Sequence, residues 1–208
     1  MNKFMELFEL ASGKTLSPEQ EGSTQRFQLV IRATLVSVAL ASFYGLAAGS
    51  TDVTIALGNL YKLPMVILLS SLCALPIGFL SWKLLGGTNR ASDLLLGVAS
   101  GNFTASLVLA ALAPIVALYY HTSGHLGGIL AMTTASIAVL LGFLNVARTV
   151  WNRRPKVVEL VNLPGLLVPV GVMIFAQQAA LLQFIHVASP ILPEVTIFDG
   201  GADEVLGR

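Results

Sequence analysis

Residues 63–82 read LPMVILLSSLCALPIGFLSW, and this stretch decides the fold class. None of its residues is charged. At 1.5 Å per residue, about 20 apolar residues match the ~30 Å hydrocarbon core of a bilayer. Lys62 precedes the stretch and Lys83 follows it, each placed to reach lipid headgroups. Pro64 falls in the first turn of the predicted span, where a missing N–H costs little. Pro76 lies inside, where it is expected to kink the helix. A soluble protein would have to bury such a helix on every side.

The rest of the chain repeats this chemistry. Hydrophobic residues make up 55% and charged residues 11%, against about 25% charged in soluble domains. Mean hydropathy is +0.79. The 208 residues accommodate five spans and short connections, which leaves no room for a separate soluble domain. The expected fold is therefore an all-α polytopic membrane bundle. Its spans are predicted near residues 29–48, 63–85, 94–120, 130–150 and 163–187, within a membrane domain covering 27–193. A segment of residues 1–26 precedes it, and a short acidic tail, 194–208, follows. The net charge of +1 gives no electrostatic reason to expect nucleic acid as a partner. Cys73 is the only cysteine, which excludes an intrachain disulfide and a thiolate metal cluster. In its apolar setting it reads as a small packing residue.

Residues 4–11, FMELFELA, place Phe4, Met5, Phe8 and Ala11 on one helical face, away from Glu6 and Glu9. Such a helix either lies on the membrane surface or grips a partner, or else rests on its own bundle. Ser12-Gly13-Lys14-Thr15 mimics the end of a phosphate-binding loop, but Phe8 stands where that loop needs glycine. Ser17-Pro18-Glu19-Gln20 carries the signals of a helix start.

Within the first span, Arg32 lies one turn inside, near enough to snorkel, and Gly45 and Gly49 form a GxxxG face suited to close helix approach. Asp52 opens a polar connection expected to reach Lys62. Leu94 to Ala147 contains no Asp, Glu, Lys or Arg and is too long for one span, so His121–Gly128 is read as a hairpin turn. Tyr119 and Tyr120 suit the interface there. Gly97 and Gly101 form a second GxxxG, Pro114 is expected to kink the third span, and Asn102 needs an interhelical partner. Arg148, Arg153, Arg154 and Lys156 form the densest basic cluster.

Five spans place Lys3, Lys14, Arg26, Arg32, Lys83, Arg90, Arg148, Arg153, Arg154 and Lys156 on the N-terminal side, against Lys62 and Arg208 opposite. By the positive-inside rule the N-terminus is cytoplasmic and the C-terminus outside. His121, His125, His186 and Asp52 then share the outer face, where they offer ligands for a divalent metal or a proton relay. Their plainer role is as loop and interfacial polar residues. Gln177, Gln178 and Gln183 either line a polar path with Arg32 and Asn102 or bond neighbouring helices. Spans two to five hold no acid or base at mid-depth, which disfavours coupled transport. The basic cluster either contacts anionic lipid or an acidic partner, or acts only as the orientation signal. No GxSxG or HExxH motif occurs, and no cofactor or soluble substrate is implied.

Lys62-Leu-Pro64 opening a span, Pro76 twelve residues later, Leu84-Leu85-Gly86 closing it and Ala113-Pro114-Ile115 in the next helix together resemble bacterial members of the Yip family. The resemblance covers about residues 30–150. It implies five spans with a cytoplasmic N-terminus, in agreement with the charge distribution. Eukaryotic relatives are associated with prenylated small GTPases and vesicle membranes, but no residue here identifies a GTPase contact. The expected function is an integral scaffold or accessory subunit of a bacterial inner-membrane assembly. Its partners would be lipids, other membrane subunits or a second copy. The alternatives are a transporter or channel subunit and a metal- or quinone-linked enzyme component.

Overall fold

The structure, a computed structural model, describes residues 3–12, 22–85, 91–153 and 163–193. Every regular element among them is a helix: α1 (Lys3–Ala11), α2 (Ser23–Ala48), α3 (Val53–Leu84), α4 (Ala91–Thr122), α5 (Gly124–Asn152) and α6 (Leu163–Ala188). The Ser12–Thr15 motif beyond its first residue, the Ser17–Gln20 start signal, Arg90, Arg154, Lys156 and the acidic tail lie outside the described residues.

Helices α2 to α6 are long and apolar enough to cross a membrane. Only 22–33% of each span's most apolar window is buried within the bundle, so most of that apolar surface faces outward. Leu35, Leu72, Leu80, Leu118, Leu140 and Phe175 are among the exposed side chains. In water such a belt would cost about 25 cal/mol for each Å² left unburied, whereas lipid tails accept it without penalty. The architecture is that of an integral membrane protein.

The helices extend beyond the predicted spans, and local chemistry explains each extension. Helix α3 begins ten residues before Leu63, at Val53, because Asp52 is its N-cap. Asp52 Oδ1 accepts from the amides of Thr54 at 2.8 Å and Ile55 at 3.3 Å. The expected polar connection from Asp52 to Lys62 is therefore helical, and the turn is confined to Gly49–Asp52. The hairpin turn expected over His121–Gly128 contracts to Ser123. Gly127 serves helix approach instead: a Cβ there would lie 2.8 Å from Tyr120 Cα. Helix α3 continues through Pro64 and Pro76, and α4 through Pro114.

In the bundle α2 packs on α3 and α4, α6 covers α3, and α5 covers α4. The spatial order is thus α6, α3, α2, α4, α5, with α5 and α6 as outer members that touch each other only sparsely. One core, around Trp82, Leu94, Val146, Val150 and Met173, fills the end where α3 and α5 finish and α4 begins. A second, around Tyr44, Ala48, Val116, Tyr120 and Ala131, fills the opposite end. A third joins Leu7 and Leu10 of α1 to Ala33, Leu96, Ala99 and Phe103.

Helix α1 therefore rests on its own bundle, but not on the face expected. Leu7 and Leu10 are its buried residues, while Phe8 is exposed and the Phe4 side chain lies outside the described set. Arg32 reaches α1, its Nη1 lying 3.5 Å from Glu6 Oε2. Both side chains are about one-third exposed, so this pair contributes under ~1 kcal/mol and the leucines dominate the docking.

Candidate functional site

Three clusters of buried polar side chains are built on α4. The first is the basic end. Asp93, in the first turn of α4, is buried between Arg26 from the first turn of α2 and Arg153, which caps α5. Each guanidinium Nη1 lies 3.4 Å from Asp93 Oδ1, and Arg26 Nη1 also donates to Ser92 Oγ at 3.2 Å. The first turn of a helix favours a carboxylate through its dipole, and two guanidinium groups reinforce that preference. Asp93 adjoins the charge-free run and has no motif of its own, so no local sequence signal marks it. Arg153, expected in the basic cluster either to contact lipid or a partner or to act only as an orientation signal, turns its side chain inward against Asp93. Arg148, one turn earlier, is exposed.

The second place is mid-bundle. Asn102 of α4 finds the interhelical partner it needs: its Nδ2 donates to Ser71 Oγ of α3 at 2.8 Å. Gln177 of α6 donates through Nε2 to the same Ser71 Oγ at 3.0 Å and to Asn102 Oδ1 at 3.3 Å. Ser71 Oγ in turn donates to the Ile67 carbonyl at 2.8 Å. Three helices are stitched by one serine. Gln177→Leu is expected to destabilise the fold by about 0.6–1.7 kcal/mol, the range for interhelical hydrogen bonds in membranes. Unfolding in detergent of Gln177→Leu, Asn102→Leu and the double variant should give less than the sum of the single effects. Strict additivity would show that the two amides act independently.

The third place holds Asn145 of α5, whose Nδ2 lies 2.7 Å from both Ser100 Oγ and Thr104 Oγ1 of α4. Ser100 Oγ donates to the Leu10 carbonyl at 3.2 Å, satisfying an acceptor at the end of α1 that its own helix leaves open.

Both small-residue motifs face neighbours within the bundle. A Cβ on Gly45 would lie 2.5 Å from the Asn59 carbonyl oxygen, and one on Gly49 would lie 2.6 Å from the Ala56 amide. Gly97 faces Val150 and Val146, and Gly101 abuts Gly142 and Val146. Cys73, read as a small packing residue, is exposed on α3.

Of the residues suggested as metal ligands, Asp52, His121 and His186 form no group of three among the described residues. Asp52 is engaged as an N-cap, and His121 and His186 are exposed. His125 lies in α5 with its side chain outside the described set. Among the described residues no three His, Cys, Asp or Glu side chains are grouped to hold a metal ion.

A crevice of about 330 Å³, foreshadowed by no local sequence signal, lies between the first part of α5 and the second half of α6. Tyr44, Leu63, Ala135, Phe143, Leu181 and Ile185 lie along it. A second space of about 90 Å³ shares five of these, namely Leu63, Ala135, Phe143, Leu181 and Ile185, and continues to Asn102 and Gln177. Tyr44 presents its ring to the crevice, since its hydroxyl is engaged 2.9 Å from both the Ala131 carbonyl and Thr134 Oγ1. At the rim, Asn59 Nδ2 donates to the Ile191 carbonyl at 2.7 Å, and Lys62 Nζ to the Pro190 carbonyl at 3.1 Å. These bonds fold the segment after α6 over the crevice mouth.

No family model, curated protein or solved structure matches the chain.

Proposed function

We propose that the chain acts by binding: a scaffold or accessory subunit of a membrane assembly, held in a bacterial cytoplasmic membrane. The observation that carries this reading is the disposition of its polar side chains. Arg26, Asp93 and Arg153 join one another, as do Ser71, Asn102 and Gln177, while an apolar belt remains for lipids and other helices. The proposed orientation, N-terminus cytoplasmic and C-terminus outside, is supported by Arg26, Lys83, Arg148 and Arg153 at one end of the bundle and Lys62 at the other.

A transport path past Arg32, Asn102, Gln177 and Gln178 has less support. Arg32 reaches Glu6, Asn102 and Gln177 bind each other, and Gln178 faces the crevice. The proposal includes kinship with bacterial Yip-family proteins, on the Lys62-Leu-Pro64, Pro76, Leu84-Leu85-Gly86 and Ala113-Pro114-Ile115 segments.

Purification from the native membrane in gentle detergent, with mass determination and identification of co-purifying proteins, tests the reading. A stoichiometric set of partner subunits is expected. A lone monomer or homo-oligomer would overturn it.

A further inference from the structure

We propose that the crevice between α5 and α6 is a lipid site, taking one acyl chain of a phospholipid whose anionic headgroup meets Lys62. This rests on the membrane-embedded fold and not on the accessory-subunit reading.

The crevice's place in the bundle comes first. It forms because α5 is committed to α4 and α6 to α3, so the two outer helices diverge where they face each other. Its volume, about 330 Å³, falls within the ~300–1,000 Å³ typical of ligand pockets. Inside a bilayer, an open apolar cleft borders hydrocarbon rather than water, and the available occupant of matching chemistry is an acyl chain.

Depth agrees with this. Lys62 and Lys83 are 21 positions apart on α3, a rise of about 31 Å that matches the hydrocarbon thickness. Lys62 thus stands at headgroup level. Its ammonium holds the Pro190 carbonyl, and the residues on either side of Pro190, Ser189 and Ile191, line the crevice. Nζ carries three donors and this bond uses one, which leaves two for a phosphate at the mouth. Lys62 is also the only lysine or arginine at that end among the described residues.

From Ser189 down to Gln178 the crevice runs along eleven positions of chain, about 16 Å at helical rise. Gln178 is a lining amide with no hydrogen-bond partner among the described residues. An acyl chain ignores this amide, whereas a ligand bearing a carbonyl at that depth would use it. The position therefore separates two ligand classes.

The test uses the full chain, delipidated in mild detergent and titrated with phosphatidylglycerol or phosphatidylcholine of identical acyl chains, with bound lipid counted by native mass spectrometry. One phosphatidylglycerol per chain is expected, bound about five-fold more tightly than phosphatidylcholine, the factor that ~1 kcal/mol per lysine gives at a charged surface. Lys62→Ala should remove the preference and leave phosphatidylcholine binding unchanged. Leu182→Trp, which fills the crevice, should weaken both lipids, and Ala135→Leu repeats that test with a smaller insertion should the tryptophan variant not fold. Gln178→Leu should leave both affinities intact. The proposal is overturned if wild type binds neither lipid, if both filling variants bind as wild type, or if Lys62→Ala keeps the preference. Loss of binding in Gln178→Leu would assign the crevice to a carbonyl-bearing ligand instead. A dimer that Leu182→Trp dissociates, with lipid counts unchanged, would assign it to a second copy. Because lipid counts and co-purifying proteins are separate readouts, this site and the accessory-subunit reading fail independently.

Discussion

Asp93→Ala should lower the unfolding free energy by about 3–5 kcal/mol, the usual cost of removing one partner from a buried ionic group. The reason is asymmetry. Asp93 lies 3.4 Å from both Arg26 and Arg153, and all three side chains are at most 4% exposed. Without it both guanidinium groups lose a buried carboxylate contact, and the ends of α2, α4 and α5 lose a common tie. Arg153→Met should cost less, because Asp93 retains Arg26 at 3.4 Å. Equilibrium unfolding in detergent, or the amount of folded chain in membranes, ranks the variants. Equal stability of Asp93→Ala and wild type would show that the carboxylate ties nothing together.

Gly101→Leu is expected to force α4 and α5 apart. Even the first added carbon would collide with Val146 Cγ2 and lie 2.8 Å from the Gly142 carbonyl oxygen. The valine can rotate, but the backbone oxygen cannot. Reciprocally, a Cβ on Gly142 would lie 2.9 Å from the Gly101 carbonyl oxygen, so the approach is backbone to backbone. Overpacking of this kind costs about 1–3 kcal/mol, and Gly101→Leu belongs at the upper end of that range or beyond. Gly101→Ala should be milder but still destabilising. Gly171→Ala is the control: nothing lies within 4 Å of the added carbon, and alanine in a helix interior gains about 0.5–1 kcal/mol over glycine. Thermal unfolding should move in opposite directions for Gly101→Ala and Gly171→Ala. A shared direction would show that close approach does not govern the α4–α5 seam.

The sequence by itself determined that this chain is a bundle of five membrane helices. Charge-free runs such as residues 63–82 are long enough only for a bilayer, and the polar breaks between them are local signals. It also determined that Asn102 needs a partner and that its glycine pairs mark close seams, because unsatisfied amides and missing Cβ atoms have consequences wherever they sit. Helix ends were less legible: Asp52 could be read as a loop residue until its carboxylate was seen to cap α3. The neighbours of each helix were not legible at all. Spans of near-uniform hydropathy carry no strong one-sided pattern, so nothing local says that α6 packs on α3 and α5 on α4. That choice, with α2 also packed on α4, brings Arg26 and Arg153 to Asp93, from 67 and 60 positions away in the chain. It also parts α5 from α6, opening beside Lys62 a crevice that belongs to neither helix by itself.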